Sequence, residues 1–419
     1  PALRLGLEGF PPRTPSPSAA ASPKGLAMDV TDLRVALFSG NYNYVRDGAN
    51  QALNRLVDYL LRQGAQVRVY SPTTDTPAFE PAGELISLPS VPIPGRGEYQ
   101  FSTGLGAEVK ANLAEFAPHI VHISSPDVAG HRALTWARAH DIPVLASVHT
   151  RFETYPRYYG FGFIEPVFVS ILRRFYHRCD AIVAPSASMI EELREQGMHH
   201  DIGTWSRGVD RHVFTPNRRD LAWRRELGIA DDDMAIGFLG RLVLEKGIDI
   251  FAETMVELRR RGVPHQVLVI GEGPAKDFFA GKVPDAKFVG FQQGEDLGRA
   301  VASMDVLLNP SVTETFGNVT LEAMACGVPV VAADATGASS LVLEGETGHL
   351  VPPRDIAAYA DKLAAYAADP ALRRAHGEAG ARRADAFDWD TINGAVADTY
   401  LRLIEARRTK GTAGARTSA

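Results

Sequence analysis

From Leu33 onward the chain alternates short apolar runs with amphipathic stretches, in two successive series, and this alternation leaves few folds open. Arg34–Gly40 (RVALFSG) is a short apolar run ending in glycine, which predicts a buried strand. In Ala49–Gly64, Leu53, Leu56, Val57, Leu60 and Leu61 fall on one helical face, with Gly64 suited to the C-terminal cap. Gln66–Tyr70, Ile120–Ile123, Val144–Val148 and Ala181–Ala184 continue as strands, with helical stretches such as Gly130–His140 between some of them. A loop-like stretch, Trp205–Asp220, holds Gly208, Pro216 and Asn217 and interrupts the pattern. It resumes with a strand at Ala235–Leu239, a helix at Ile248–Arg261, and strands at Gln266–Ile270, Lys287–Gly290, Val306–Asn309 and Pro329–Ala332. Strands alternating with helices predict an α/β chain with parallel sheets covered on both faces. The two series predict two doubly wound, Rossmann-like halves facing across a cleft, where ligands bind outside the carboxyl ends of the strands. The expected domains are 32–205 and 206–388, closed by helices near Ile356–Ala368, Ala371–Ala386 and Trp389–Arg407. The last helix, 389–408, is expected to pack back over the hinge, followed by a flexible tail at 409–419.

A length of 419 residues suits two domains with full cores. Hydrophobic residues make up 45% and charged residues 22%, a globular mix, and no apolar run reaches the roughly 20 residues a spanning helix needs. The net charge of −6 offers no excess cation for phosphate neutralisation, which argues against a nucleic-acid binder. Cys179 and Cys326 stand far apart and outside any CxxC, so a structural zinc site is not expected and a reducing cytoplasm is the simplest compartment. Residues 1–31 are rich in proline and read as a disordered extension, with Met28 as the start of the folded protein. This stretch lacks the apolar core of a secretory signal, while Arg4, Arg13 and Lys24 give it a faint likeness to an organelle transit peptide.

The dinucleotide fingerprint GxGxxG is missing after the first strand, and after Gln266–Ile270 the run Gly271-Glu272-Gly273 meets Lys276 where the third glycine belongs. Other groups fall where a cleft would be. Arg241 and Lys246 follow a strand in GRLVLEKG, next to a helix starting near Gly247, which makes an anion site. Glu314 and Glu322 lie in PSVTETFGNVTLEAMACGVPVV, one in a loop after a strand and one about two turns into the following helix. His149 ends the strand Val144–Val148. Taken singly, each has a bland reading as surface cations, a solvated glutamate or a structural histidine.

Taken in order, Gly48 before the first helix, His149, GRLVLEKG, Glu-x7-Glu and AMACGVPVVA resemble the retaining nucleotide-sugar glycosyltransferases of family 4, over roughly residues 33–407. The resemblance implies the GT-B fold, with an acceptor-side N-terminal domain and a nucleotide-sugar-binding C-terminal domain. It implies that Arg241 and Lys246 bind the donor diphosphate and offset the charge of the leaving group. Glu314 would contact the donor sugar, Glu322 the ribose hydroxyls, and His149 the donor hexose. The backbone at Phe316, Gly317, Asn318 and Val319 would face phosphate, and Gly48 would let the backbone approach it. His149, Arg241, Lys246 and Glu314 would form the catalytic set. No metal and no cofactor are implied, since the nucleotide sugar is itself a substrate, and Asp231–Asp233 falls at the wrong end of a strand for a metal site. Two departures stand out. ATGASSLV (Ala335–Val342) replaces the expected Gly-Gly and glutamate, and VRDGAN (Val45–Asn50) lacks the Lys-Thr-Gly-Gly of polymer synthases.

The resemblance implies transfer of a hexosyl group to a lipid or glycan acceptor. GDP-mannose is favoured by the TETFGN wording, with UDP-hexoses next. A sugar-nucleotide epimerase of the same fold, or a degenerate sugar-nucleotide-binding protein, are the rival readings. Arg151–Arg178 concentrates Phe152, Tyr155, Tyr158, Tyr159, Phe161, Phe163, Phe168, Phe175 and Tyr176 among Arg151, Arg157, Arg173, Arg174 and Arg178. Aromatic and basic surface of that kind suits an anionic membrane, so a cytoplasmic chain, peripheral on the inner face of the membrane, is the expectation. The alternative is that the aromatics are core and the arginines a solvated face.

Overall fold

The computed structural model describes residues 28–44, 48–93, 96–149, 163 and 165–417. Most of the proline-rich extension and the aromatic run 151–162 lie outside them. The end of that extension is structured: the Asp29 carboxylate accepts from the Val30 amide at 2.6 Å and caps a short turn, and Met28 and Val30 pack on the core.

The first sheet has the order β3-β2-β1-β6-β7-β8-β9, every neighbouring pair parallel. Its strands are β1 (Arg34–Phe38), β2 (Gln66–Ser71), β3 (Glu84–Ser87), β6 (Ile120–Ile123), β7 (Val144–Ser147), β8 (Ala181–Ala184) and β9 (Ile202–Thr204). Between β3 and β6 an antiparallel hairpin, β4 (Ser90–Ile93) and β5 (Arg96–Ser102), stands apart from the sheet. The central strands β1, β6, β7 and β8 are buried almost throughout, because helices cover both faces and leave no polar side to alternate with.

The second sheet has the order β12-β11-β10-β13-β14-β15, again all parallel. Its strands are β10 (Ala235–Leu239), β11 (Gln266–Ile270), β12 (Lys287–Gly290), β13 (Val306–Asn309), β14 (Val330–Ala333) and β15 (Gly348–Val351). In each sheet the chain runs outward from the first strand and then reverses, so the switch points lie between β1 and β6 and between β10 and β13. Crevices open there at the carboxyl ends of the strands.

The terminal helix, Trp389–Thr417, leaves the second sheet and buries Val396, Ala397, Tyr400, Leu403 and Ile404 against the Leu53, Leu56 and Val57 face of the helix Gly48–Arg62. Arg62 grips Asp390 through two bonds, of 2.6 and 3.0 Å, and the Asn393 amide donates to the Arg55 carbonyl at 3.2 Å. The expected return across the hinge is therefore made. The helix extends to Thr417, so most of the stretch expected to be a flexible tail continues it. Cys179 and Cys326 are both free and buried. Among the described residues no helix is long and apolar enough to cross a membrane.

Candidate active site

Arg241 directly follows β10, the first strand of the second sheet, and its guanidinium is exposed, with no ion-pair partner among the described residues. Its loop is held in place by Gly271, whose φ of 133° and lack of a side chain let the backbone of Gly240 pack against it. The Leu242 amide then bonds the Glu272 carbonyl at 3.0 Å. The Gly271-Glu272-Gly273 run thus shapes the Arg241 loop. Lys246 ends a short turn, Leu244–Lys246, that leads through Gly247 into the helix Ile248–Arg260.

Glu314 comes from the far side of the switch point, in the loop after β13. Its carboxylate, 16% exposed, accepts from Lys246 Nζ at 2.7 Å. The helix Asn318–Ala325 starts at once, with Gly317 at φ 97° as its cap and Phe316 buried beneath. The first amides of that helix have no partner within it, and the dipole makes this end an anion site. Glu322 lies one turn further in. Burial and then the charge of Glu314 push its carboxyl up to about 8.

Gly48 is the first residue of the helix Gly48–Arg62 in the first domain. A methyl group here would overlap the side-chain nitrogen of Asn318, so glycine lets the two helix starts meet across the cleft.

His149 follows β7 and faces the same cleft. Its Nε2 lies 2.8 Å from Ser147 Oγ and its Nδ1 2.8 Å from Arg207 Nη2, with the Trp205 ring edge-on at 5.2 Å. Burial, then the positive charge of Arg207, then His122, hold the imidazole well below its usual pKa. Its carbonyl oxygen accepts from Thr315 Oγ1 at 3.1 Å, next to Glu314. Both ring nitrogens are spent within the protein. The expected ring-to-hexose bond has no free nitrogen in this arrangement.

Of the expected residues, Lys246 meets Glu314, Gly48 meets Asn318, the His149 carbonyl meets Thr315, and Glu322 feels the charge of Glu314. Several contacts between the domains were not read from sequence. Ser186 Oγ donates to the Thr315 carbonyl at 2.8 Å. Ser188 Oγ lies 3.0 Å from Ser340 Oγ and accepts from the Gly337 amide at 3.3 Å. The divergent ATGASSLV stretch thus clasps the first domain through serines. Single serines carry no signal by spacing, so only the fold brings them together. At the other end of the sheet Asp231 pairs with Arg225 at 2.5 Å, before β10 begins and away from the cleft.

Comparison with known proteins agrees with this geometry. Residues 46–213 match the family model described as "Glycosyltransferase Family 4" and residues 233–369 the model described as "Glycosyl transferases group 1". The chain is 32% identical to a GDP-mannose-dependent alpha-mannosyltransferase of Mycolicibacterium smegmatis, covering 90% of this chain and 99% of that protein. It is 30% identical to a sulfoquinovosyl transferase of Arabidopsis thaliana, covering 89% of this chain and 72% of that one. Its fold matches sucrose-phosphate synthase from Thermosynechococcus elongatus with a TM-score of 0.73 at 23% identity, over 89% of this chain and 100% of that one. Two Rossmann-like domains, the Lys246–Glu314 pair at the switch point of the second sheet, and these matches lead to one conclusion: the chain belongs to glycosyltransferase family 4 and has the GT-B fold.

Proposed function

We propose that this glycosyltransferase moves a hexosyl group from a nucleotide diphosphate sugar, GDP-mannose ahead of UDP-hexoses, to a lipid or glycan acceptor with retention of configuration. The observation that carries the reading is the Lys246–Glu314 pair beside Arg241 and the start of the Asn318–Ala325 helix. A diphosphate entering the cleft competes for Lys246, which releases the Glu314 carboxylate to accept from sugar hydroxyls. As the anomeric carbon–oxygen bond breaks, negative charge grows on the departing phosphate, and Arg241, Lys246 and the helix start offset it. The acceptor oxygen bonds to the anomeric carbon on the same face, and its proton passes to the departing phosphate oxygen. The positive charge this step needs comes from side chains and a helix end, so the reaction proceeds without a metal. GDP-mannose is supported by the Mycolicibacterium relative.

A lipid acceptor is supported by the helix Glu165–Tyr176. Val167 is 59% exposed, Ile171 51% and Phe168 39%, with Arg173 and Arg174 in the last turn. Phe175 and Tyr176 are core, so the aromatic run divides between the core and this outward face. Apolar side chains beside arginines suit a layer of anionic headgroups. The arm of the run that holds Phe152, Tyr155, Tyr158, Tyr159 and Phe161 lies outside the described residues.

The test is nucleotide release from a panel of GDP- and UDP-sugars, with EDTA and with or without membrane lipid. Release from one donor, raised by lipid and indifferent to EDTA, is expected. No release from any donor would refute the proposed donor class, and a rate that collapses in EDTA would refute metal independence. Flotation with phosphatidylglycerol vesicles is expected to carry the protein, and failure to bind would overturn the membrane contact.

A further inference from the structure

We propose that Arg207 and Ser147 lock His149 in its Nε2–H tautomer, with His122 and Tyr400 completing a buried chain that makes these four residues positioning residues for the cleft. The proposal deepens the transfer reading above and rests on it. A guanidinium has donors only, so Arg207 Nη2 donates and His149 Nδ1, at 2.8 Å, must accept. A neutral imidazole then carries its proton on Nε2, which donates to Ser147 Oγ at 2.8 Å. The same hydroxyl lies 2.8 Å from His122 Nε2, and His122 Nδ1 lies 2.5 Å from the Tyr400 hydroxyl. Ser147, His122, Arg207 and Tyr400 are all buried.

These groups come from separate parts of the chain. His122 lies on β6, Ser147 on β7, Arg207 in the hinge after β9 and Tyr400 on the terminal helix. Trp205 stands edge-on to both His122 and His149, and its Nε1 donates to Asn393 Oδ1 at 3.2 Å on that same helix. A proton added at Nδ1 of His149 would point at the Arg207 guanidinium, donor against donor, and burial already disfavours the charged rings of His122 and His149. Among the described residues, the titratable or charged groups bearing on His149 are Arg207 and His122. With its ring fixed, His149 presents its carbonyl to Thr315 Oγ1, one residue from Glu314. The chain thereby ties the sugar end of the cleft to the terminal helix. The groups expected to hold the diphosphate and ribose, Arg241, Lys246 and Glu322, lie on the other domain.

Two measurements decide the matter. Long-range proton–nitrogen spectra of the full chain labelled with nitrogen-15 histidine, with His149 assigned by loss of its signal in His149→Gln, are expected to show Nε2 protonated and Nδ1 bare at neutral pH. An Nδ1–H or imidazolium signature overturns the proposal, whether or not transfer activity is detected. Ser147→Ala is expected to lower kcat on the order of tenfold, with GDP and UDP affinity unchanged and with recovery in Ser147→Thr. Tyr400→Phe, which keeps the ring, is expected to lower kcat less. Unchanged kcat in Ser147→Ala overturns the proposal, and so does an equal loss of nucleotide binding, which would mark Ser147 as general packing.

Discussion

Glu314 and Glu322 are the same residue type eight positions apart, yet they face different electrostatics. Glu314 is paired with Lys246 at 2.7 Å. Glu314→Gln keeps the shape and removes the charge. Turnover should fall by about a hundredfold or more, with nucleotide affinity by calorimetry largely intact. Unaltered turnover would refute the assigned role. Glu322 is raised from 4.5 to about 8 by burial and by Glu314. The native chain therefore holds a proton in that window which the unfolded chain has lost, so this group's contribution to stability falls as pH rises from 4.5 toward 8. Glu322→Gln should flatten that decline and raise Tm at pH 8 by a few degrees relative to the parent. Melting curves at pH 5 and pH 8 that shift equally in the variant would contradict it. Both glutamates were singled out through the resemblance of Glu-x7-Glu and its surroundings to the family, since each taken alone reads as an ordinary surface carboxylate. The protonation of Glu322 was not, since desolvation is a property of the assembled cleft.

At the scale of elements, the terminal helix and the hinge carry the packing that joins the domains. Leu403 is buried among side chains of the first domain. Leu403→Ala should cost about 2–4 kcal/mol, read as a lower urea midpoint. Asp390→Asn, which breaks an exposed pair with Arg62, should cost less than about 1 kcal/mol by the same measurement. Equal losses would mean that charge, and not apolar burial, seats the helix. Strands with continuous apolar runs, such as β1, β7 and β10, were readable. β3, β9 and β15 were not picked out: all three are edge strands, β3 and β9 are of mixed burial, β9 spans only Ile202–Thr204, and β15 opens on Gly348 and His349. The last helix runs past its buried residues Leu403 and Ile404 to Thr417, through Gly411 and Gly414, which have low helix propensity.

For the whole molecule, the helix starts at Gly48 and Asn318 are one place where the domains meet. Gly48→Ala places a methyl group against the Asn318 amide. The KM for the donor should rise several-fold with the melting temperature nearly unchanged, since the obstruction lies between domains and not within a core. A variant with parental KM would show that the cleft does not need this approach during turnover.

Hydrophobic periodicity determined the two α/β halves, because period is a local property of a chain, and the order of the motifs carried the resemblance to the family. The tertiary structure alone decided that both nitrogens of His149 are consumed by Ser147 and Arg207, that Ser186 and Ser188 clasp the facing domain, and that Tyr400 reaches a histidine 278 positions away. Hydrogen bonds and desolvation act between groups the fold brings within about 3 Å, and no spacing along the chain encodes such a distance.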